Sequence, residues 1–145
     1  MNSIRHWLCI TRPENWEIVK RKCAWGVDDR YQITLENNVS VGDLLVFYVT
    51  GTGIAGIYRV ASPYYFDDTP IGWVSKQGDP YTYPHRVRIT LISLPEKPIP
   101  LDKTFRRQLL FITDKGKTWQ VFVFPSMVLI PEEDYHTIRK RLQQG

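Results

Sequence analysis

The chain reads as an α+β domain, a small open β-barrel of five to six mainly antiparallel strands flanked by about three helices. Three observations predict this. "GDLLVFYV" (42–49) and "GIAGIYRVAS" (53–62) are strand-like runs separated by the Gly-rich "TGTG", the signature of a β-hairpin. "HRVRITLISL" (85–94) alternates Val87, Ile89 and Leu91 with Arg88, Thr90 and Ile92, the period of another strand. "PEEDYHTIRKRLQQ" (131–144) places acids first and bases last, with Tyr135, Ile138 and Leu142 on one stripe, which predicts a closing amphipathic helix.

The remaining elements follow in chain order. "IRHWLCIT" (4–11) has the apolar density of a buried strand. In "TRPENWEIVKRK" the residues Thr11, Pro13 and Glu14 look like a helix start, with Thr11 capping and Glu14 three residues on. Trp16, Val19 and Cys23 recur at helical spacing, so the helix should end near Cys23 or Ala24 and leave Trp25 in a loop. Residues 63–84 are irregular, punctuated by Asp67, Asp68, Pro70, Gly72, Gly78, Asp79, Pro80 and Pro84. Prolines 95, 98 and 100 end the long strand, and "LDKTFRRQLLFI" (101–112) carries a short helix before "DKGK" turns the chain. "WQVFVFPSMVLI" (119–130) reads as one or two strands broken at Pro125.

A length of 145 residues suits one domain, 1–145, with a real core, and a 43% apolar, 23% charged composition is that of a globular protein. No apolar run approaches the roughly 18 residues that span a membrane, and the N-terminal apolar stretch is too short for a secretory signal. Cys9 and Cys23 lack the close spacing of zinc ligands and are expected as reduced core thiols, which places the chain in the cytoplasm. The excess of 19 basic over 15 acidic residues permits an anionic partner without requiring one.

Local catalytic signatures are absent: there is no G-x-S-x-G, P-loop, H-E-x-x-H or G-x-G-x-x-G. His6, His85 and His136 lie in different elements without metal-like spacing. Asp28-Asp29 and Asp67-Asp68 are adjacent loop carboxylates that turn formation explains at least as well as acid/base chemistry. No metal, cofactor or catalytic residue is therefore expected.

Binding chemistry is better represented. "KCAWGVDDRY" (22–31) and "FDDTPIGWVSKQGDPYTYP" (66–84) set Trp25, Trp73, Tyr81 and Tyr83 among glycines, aspartates and prolines. Aromatics on loops are poor core material, and two tryptophans facing each other can sandwich a flat ligand at roughly 1–3 kcal/mol per stack.

"HWLCITRPENW", "AWGV", "GDLLVFYVTGTGIAGIYRVAS" and "FPSMVLIPEEDY" resemble in order and spacing the EVE domain, a branch of the PUA-like superfamily that also contains the YTH domains. The resemblance covers nearly the full length. It implies recognition of a modified base in RNA or DNA, and the more distant resemblance to YTH domains implies that the base is flipped into an aromatic cage. Trp25 looks like the first cage tryptophan and Trp73 like the second. Tyr83 stands where YTH domains usually have a leucine. Thr11, Arg12 and Asn15 occupy places that contact the base edge and backbone, with Asn15 able to bond a base and Arg12 a phosphate. The turn "TDKGK" is similar to a late basic turn, which implies Lys115 and Lys117 near phosphates.

The resulting expectation is a monomeric reader of RNA or DNA carrying a modified base, with no membrane or metal involved. Two alternatives stand beside it. One is a hydrolase of the related ASCH branch, acting on RNA or nucleosides and using, for example, Thr11 with Glu14. The other is an interaction subunit whose tryptophans meet a partner at a flat surface.

Overall fold

The computed structural model describes residues 3–144. Seven strands and three α-helices follow the order β1 (His6–Thr11), α1 (Pro13–Lys22), β2 (Ala24–Val27), β3 (Leu44–Val49), β4 (Gly53–Val60), β5 (Tyr65–Phe66), β6 (His85–Ser93), α2 (Lys103–Arg107), β7 (Met127–Ile130) and α3 (Glu132–Gln144). The sheet runs β2-β6-β4-β3-β1-β7, with β5 added to β6, and curls into a half-barrel. Its pairings are antiparallel except for β1 with β3. That parallel pair needs a crossover, which the chain makes through α1, β2 and the segment 28–43 before β3 joins β1 in the same direction.

Both faces of the central strands are covered, which is why β1 and β3 read as unbroken apolar runs. Trp7, Cys9, Leu45 and Phe47 face the concave core with Trp16 and Val19 of α1 and both Trp25 and Trp73. Leu8, Ile10, Val46 and Tyr48 face the outer core, closed by Phe105 of α2 and by Tyr135, Ile138 and Leu142 of α3. The hairpin of β3 and β4, the long β6 and the closing helix are where the sequence predicts them.

Several expectations are corrected. The backbone of Arg12, not the Thr11 side chain, caps α1, and no side-chain cap bond forms there. Thr11 instead ends β1 and accepts the Thr50 N–H through its carbonyl at 2.9 Å. Cys23 is exposed rather than core. It takes a left-handed conformation, φ 52°, that turns the chain sharply, so Trp25 lies in a strand, not a loop. Residues Gly116–Val123 form a 3-10 helix that takes in 119–123, where a strand is expected, and of 119–130 only Met127–Ile130 pairs in the sheet. The cause is an ambiguous pattern: Trp119, Phe122 and Val123 turn to the outer core while Val121 and Phe124 face solvent, a helical spacing. Among the described residues no helix is long and apolar enough to cross a membrane.

Candidate functional site

The C-terminal ends of the parallel strands β1 and β3 open into a cleft of about 280 Å³. Its walls come from four separate stretches of chain: the β1–α1 junction (Ile10, Thr11, Arg12, Asn15), β2 (Trp25, Gly26), the irregular loop (Trp73, Lys76, Tyr83) and the segment before β7 (Val123, Phe124, Ser126), with Thr50 at the end of β3. Ligand sites usually measure roughly 300–1,000 Å³, so this one suits something the size of a single flat ring system.

Six of the sequence-predicted residues therefore meet in one place: Thr11, Arg12, Asn15, Trp25, Trp73 and Tyr83. Lys115 and Lys117 do not line this cleft. Lys115 pairs with Asp114 at 3.5 Å and lies over Phe122, while Lys117 lines a second concavity.

The polar residues bind the loop before they face any ligand. Asn15 is buried and matches the main chain of Val74 as a strand would: its Nδ2 donates to the Val74 carbonyl at 2.8 Å, and the Val74 N–H donates to its Oδ1 at 2.9 Å. Arg12 donates to the Ser75 carbonyl at 2.6 Å and pairs with Glu14 at 3.2 Å. The Tyr83 hydroxyl donates to the Val74 carbonyl at 3.1 Å. Burial pushes the Tyr83 phenol above its ordinary value, and the negative charge of Asp28 adds to the effect, so the hydroxyl stays a donor at neutral pH.

Arg86, which the sequence reading passed over, secures the other arm of the same loop. Its guanidinium is buried and donates to the carbonyls of Tyr83 at 3.1 Å and of Thr69 and Thr82 at 2.7 Å. It also lies 5.1 Å from the Trp73 ring centroid. Between these two clamps Tyr83 is held at φ 45°, a left-handed backbone that costs a bulky residue about 1–3 kcal/mol.

The tryptophans are walls rather than a protruding rim: Trp25 is 4% and Trp73 3% exposed. Gly26 makes their arrangement possible, because a Cβ there would sit 2.6 Å from both the Trp73 ring and the Tyr83 carbonyl oxygen. β2 is an edge strand, and its register has a further effect. The Ile89 N–H donates to the Cys23 carbonyl, so the hydrogen-bonded pairs fall at Trp25 and Val27. The N–H and C=O of Gly26 consequently point away from β6, on the free edge that lines the cleft. Nothing in the sequence marks this pair of main-chain groups, because they depend on which residues of a four-residue strand face its partner.

Electrostatically the cleft is a neutral slot with a cationic mouth. Arg12 and Lys76 line it, and among the described lining residues none is His, Cys, Asp or Glu. Thr11 and Ser126 thus have no imidazole or carboxylate beside them in the lining, and Glu14 is exposed and engaged with Arg12. The paired aspartates serve structure: Asp28 and Asp67 each accept a main-chain N–H two residues on. Among the described residues no group of His, Cys, Asp or Glu is placed to hold a metal ion.

A curled half-barrel with a cleft at its strand ends that two tryptophans help to line, and a helix following the first strand, is a PUA-like fold. Residues 5–141 match the model of the EVE domain, and the chain belongs to that family. The UPF0310 protein PH1033 of Pyrococcus horikoshii is 39% identical over 94% of this chain and 98% of its own. The UPF0310 protein SSO2595 of Saccharolobus solfataricus is 28% identical over 97% and 96%. Among solved structures, human THYN1 in complex with DNA containing 5-methylcytosine aligns at a TM-score of 0.63, with 17% identity over 97% of this chain and 99% of that one. The Mmi1 YTH domain in complex with RNA aligns at 0.67, with 12% identity over 97% and 78%.

Proposed function

We propose that this protein binds nucleic acid and takes a single modified base, extruded from its stack, into the cleft between Trp25 and Trp73. The observation that carries the reading is the combination in one small cleft of two indole walls, main-chain groups on a free strand edge and a mouth bearing Lys76 and Arg12, the latter paired with Glu14 outside the lining. A neutral ring suits the interior and a phosphate suits the mouth. The ligands of THYN1 and Mmi1, on the same fold, support the same reading.

The energetics permit it. Extracting a base costs a few kcal/mol from duplex and much less from a single strand. Two stacks of roughly 1–3 kcal/mol each offset that cost. Burying one methyl adds about 0.8 kcal/mol, short of the 1.4 kcal/mol that tenfold selectivity requires. The difference must come from fit: rigid walls around the methyl that admit no water beside an unmodified base. The clamped loop supplies rigidity. Thr11 and the edge groups of Gly26 face the base, while Asn15 acts by holding Val74, and Arg12, Lys115 and Lys117 meet phosphates.

Tryptophan fluorescence titrations with unmodified, 5-methylcytosine-bearing and N6-methyladenine-bearing oligonucleotides test the reading, for wild type and Trp25→Ala at two salt concentrations. Quenching that prefers one modified strand, weakens with salt and disappears in the variant is the expected result. Equal binding of all strands, indifferent to Trp25, would refute it.

A further inference from the structure

We propose that a second cleft, at the other end of the 3-10 segment Gly116–Val123, holds phosphates of the same strand whose base occupies the first. The proposal rests on the base-binding reading. This cleft measures about 550 Å³ and is lined by Lys103, Arg106, Arg107 and Lys117 around Trp119. Four cations gathered in one concavity repel one another, and no acid among the described lining residues offsets them. The neighbouring acids are engaged elsewhere: Asp102 accepts the Phe105 N–H at the start of α2, and Asp114 pairs with Lys115. Lys103, Arg107 and Lys117 are exposed and form no ion pair among the described residues.

Arg106 differs from its neighbours in being fixed. It donates to the Leu101 carbonyl at 2.6 Å and lies over the Trp119 ring at 4.4 Å. A guanidinium held this way presents its remaining N–H groups in one geometry, the arrangement that suits a phosphate oxygen pair. Flexible lysines around it supply charge without further ordering.

Placement ties this cleft to the base site. The start of the 3-10 segment lines the second cleft, and its last residue, Val123, lines the first together with Phe124. From Lys117 to Phe124 the chain advances roughly 14 Å, at a rise of about 2.0 Å per residue. A strand rising about 3.4 Å per stacked nucleotide covers that in about four nucleotides. Along the way Val121 is 66% and Phe124 68% exposed, and the Lys76 ammonium lies 4.0 Å from the Phe124 ring centroid. An open aromatic beside a cation is a stacking platform for the intervening bases.

The test uses the double variant Lys103→Ala, Arg107→Ala, whose exposed positions spare the core, with a thermal melt to check folding. Anisotropy is measured on a trinucleotide with a central modified base and on a strand of roughly twelve nucleotides, each with and without the modification, at about 50 and about 200 mM salt. We expect trinucleotide binding to be unchanged. The longer strand should lose about tenfold or more in affinity, and its log–log salt slope should become shallower by about 1.4, from two phosphate contacts at about 0.7 each. Wild-type affinity and slope on the longer strand, with the modified trinucleotide still preferred, would overturn this proposal and leave the base reading intact. Loss of the long strand without any preference for the modification would bring down both. Displacement of the long strand by inorganic pyrophosphate as efficiently as by an unmodified strand would make the cleft a free-anion site and overturn the proposal.

Discussion

Replacing Asn15 by alanine removes both hydrogen bonds that hold Val74, and hence the wall carrying Trp73, against α1. Each bond contributes about 1 kcal/mol net, and the half-buried Val74 N–H left without a partner adds a desolvation cost of about the same size. The Val74 carbonyl keeps the Tyr83 hydroxyl, so its loss is partial. The sum is about 2–3 kcal/mol. At about 2.1 cal/mol/K per residue, 145 residues unfold with an entropy of about 0.3 kcal/mol/K, so Tm should fall by about 7–10 °C. Scanning calorimetry measures this directly, and the emission maximum should shift red as Trp73 gains solvent. Asn15→Asp separates the two bonds. Its carboxylate still accepts from Val74 N–H but sets a second acceptor against the Val74 carbonyl, which raises its folded pKa above the unfolded value of about 3.9. Its stabilisation relative to alanine is therefore complete below that value and lost as pH rises through the folded pKa. An Asn15→Ala protein melting within about 2 °C of wild type, with unshifted emission, would refute the clamp.

Two further outcomes follow from the same geometry. Arg86→Lys keeps the charge but not the fork that reaches the carbonyls of Thr69, Thr82 and Tyr83, so urea unfolding should show a loss of about 2–4 kcal/mol; a change below about 0.5 kcal/mol would contradict the assigned bonds. His6 packs its ring 4.7 Å from that of Tyr135, and burial holds its imidazole below the ordinary 6.5. A lowered folded pKa gives stability that is present above 6.5 and lost as pH falls through the folded value, so wild type should weaken on acidification from about pH 7 to about pH 5, and His6→Gln should weaken less. Urea midpoints at the two pH values decide between parallel and diverging trends.

The architecture was largely legible because its strongest elements announce themselves locally. The Gly-rich turn after Val49 dictates a hairpin, and the stripe of Tyr135, Ile138 and Leu142 dictates a packed helix, whatever surrounds them. Trp25 lies in a strand rather than the expected loop for a local reason too. Cys23 adopts a left-handed cap without being glycine, and a four-residue strand is too short to show a period. The 3-10 segment satisfies two patterns at once: Trp119, Val121 and Val123 alternate as in a strand, while Trp119, Phe122 and Val123 fall at helical spacing. Family resemblance brought Asn15, Trp25 and Trp73 to one cleft, but the work of Asn15 and Arg86 lies in main-chain partners, for Asn15 59 residues away. No pattern of side chains encodes such partners, because the receiving groups are common to every residue.

That last point bears on how the molecule can change. The hydrogen bonds that anchor the loop address carbonyls and one N–H, at Thr69, Val74, Ser75, Thr82 and Tyr83, and the loop side chains that join them are the Tyr83 hydroxyl and the Asp67 carboxylate, 3.5 Å from Arg86. The attachment is therefore indifferent to what Val74, Ser75, Lys76 and Gln77 carry. Drift at these positions would alter the chemistry offered at the mouth while the frame beneath stays put. A protein built this way can exchange one ligand preference for another by small steps, none of which passes through an unfolded or slackened intermediate.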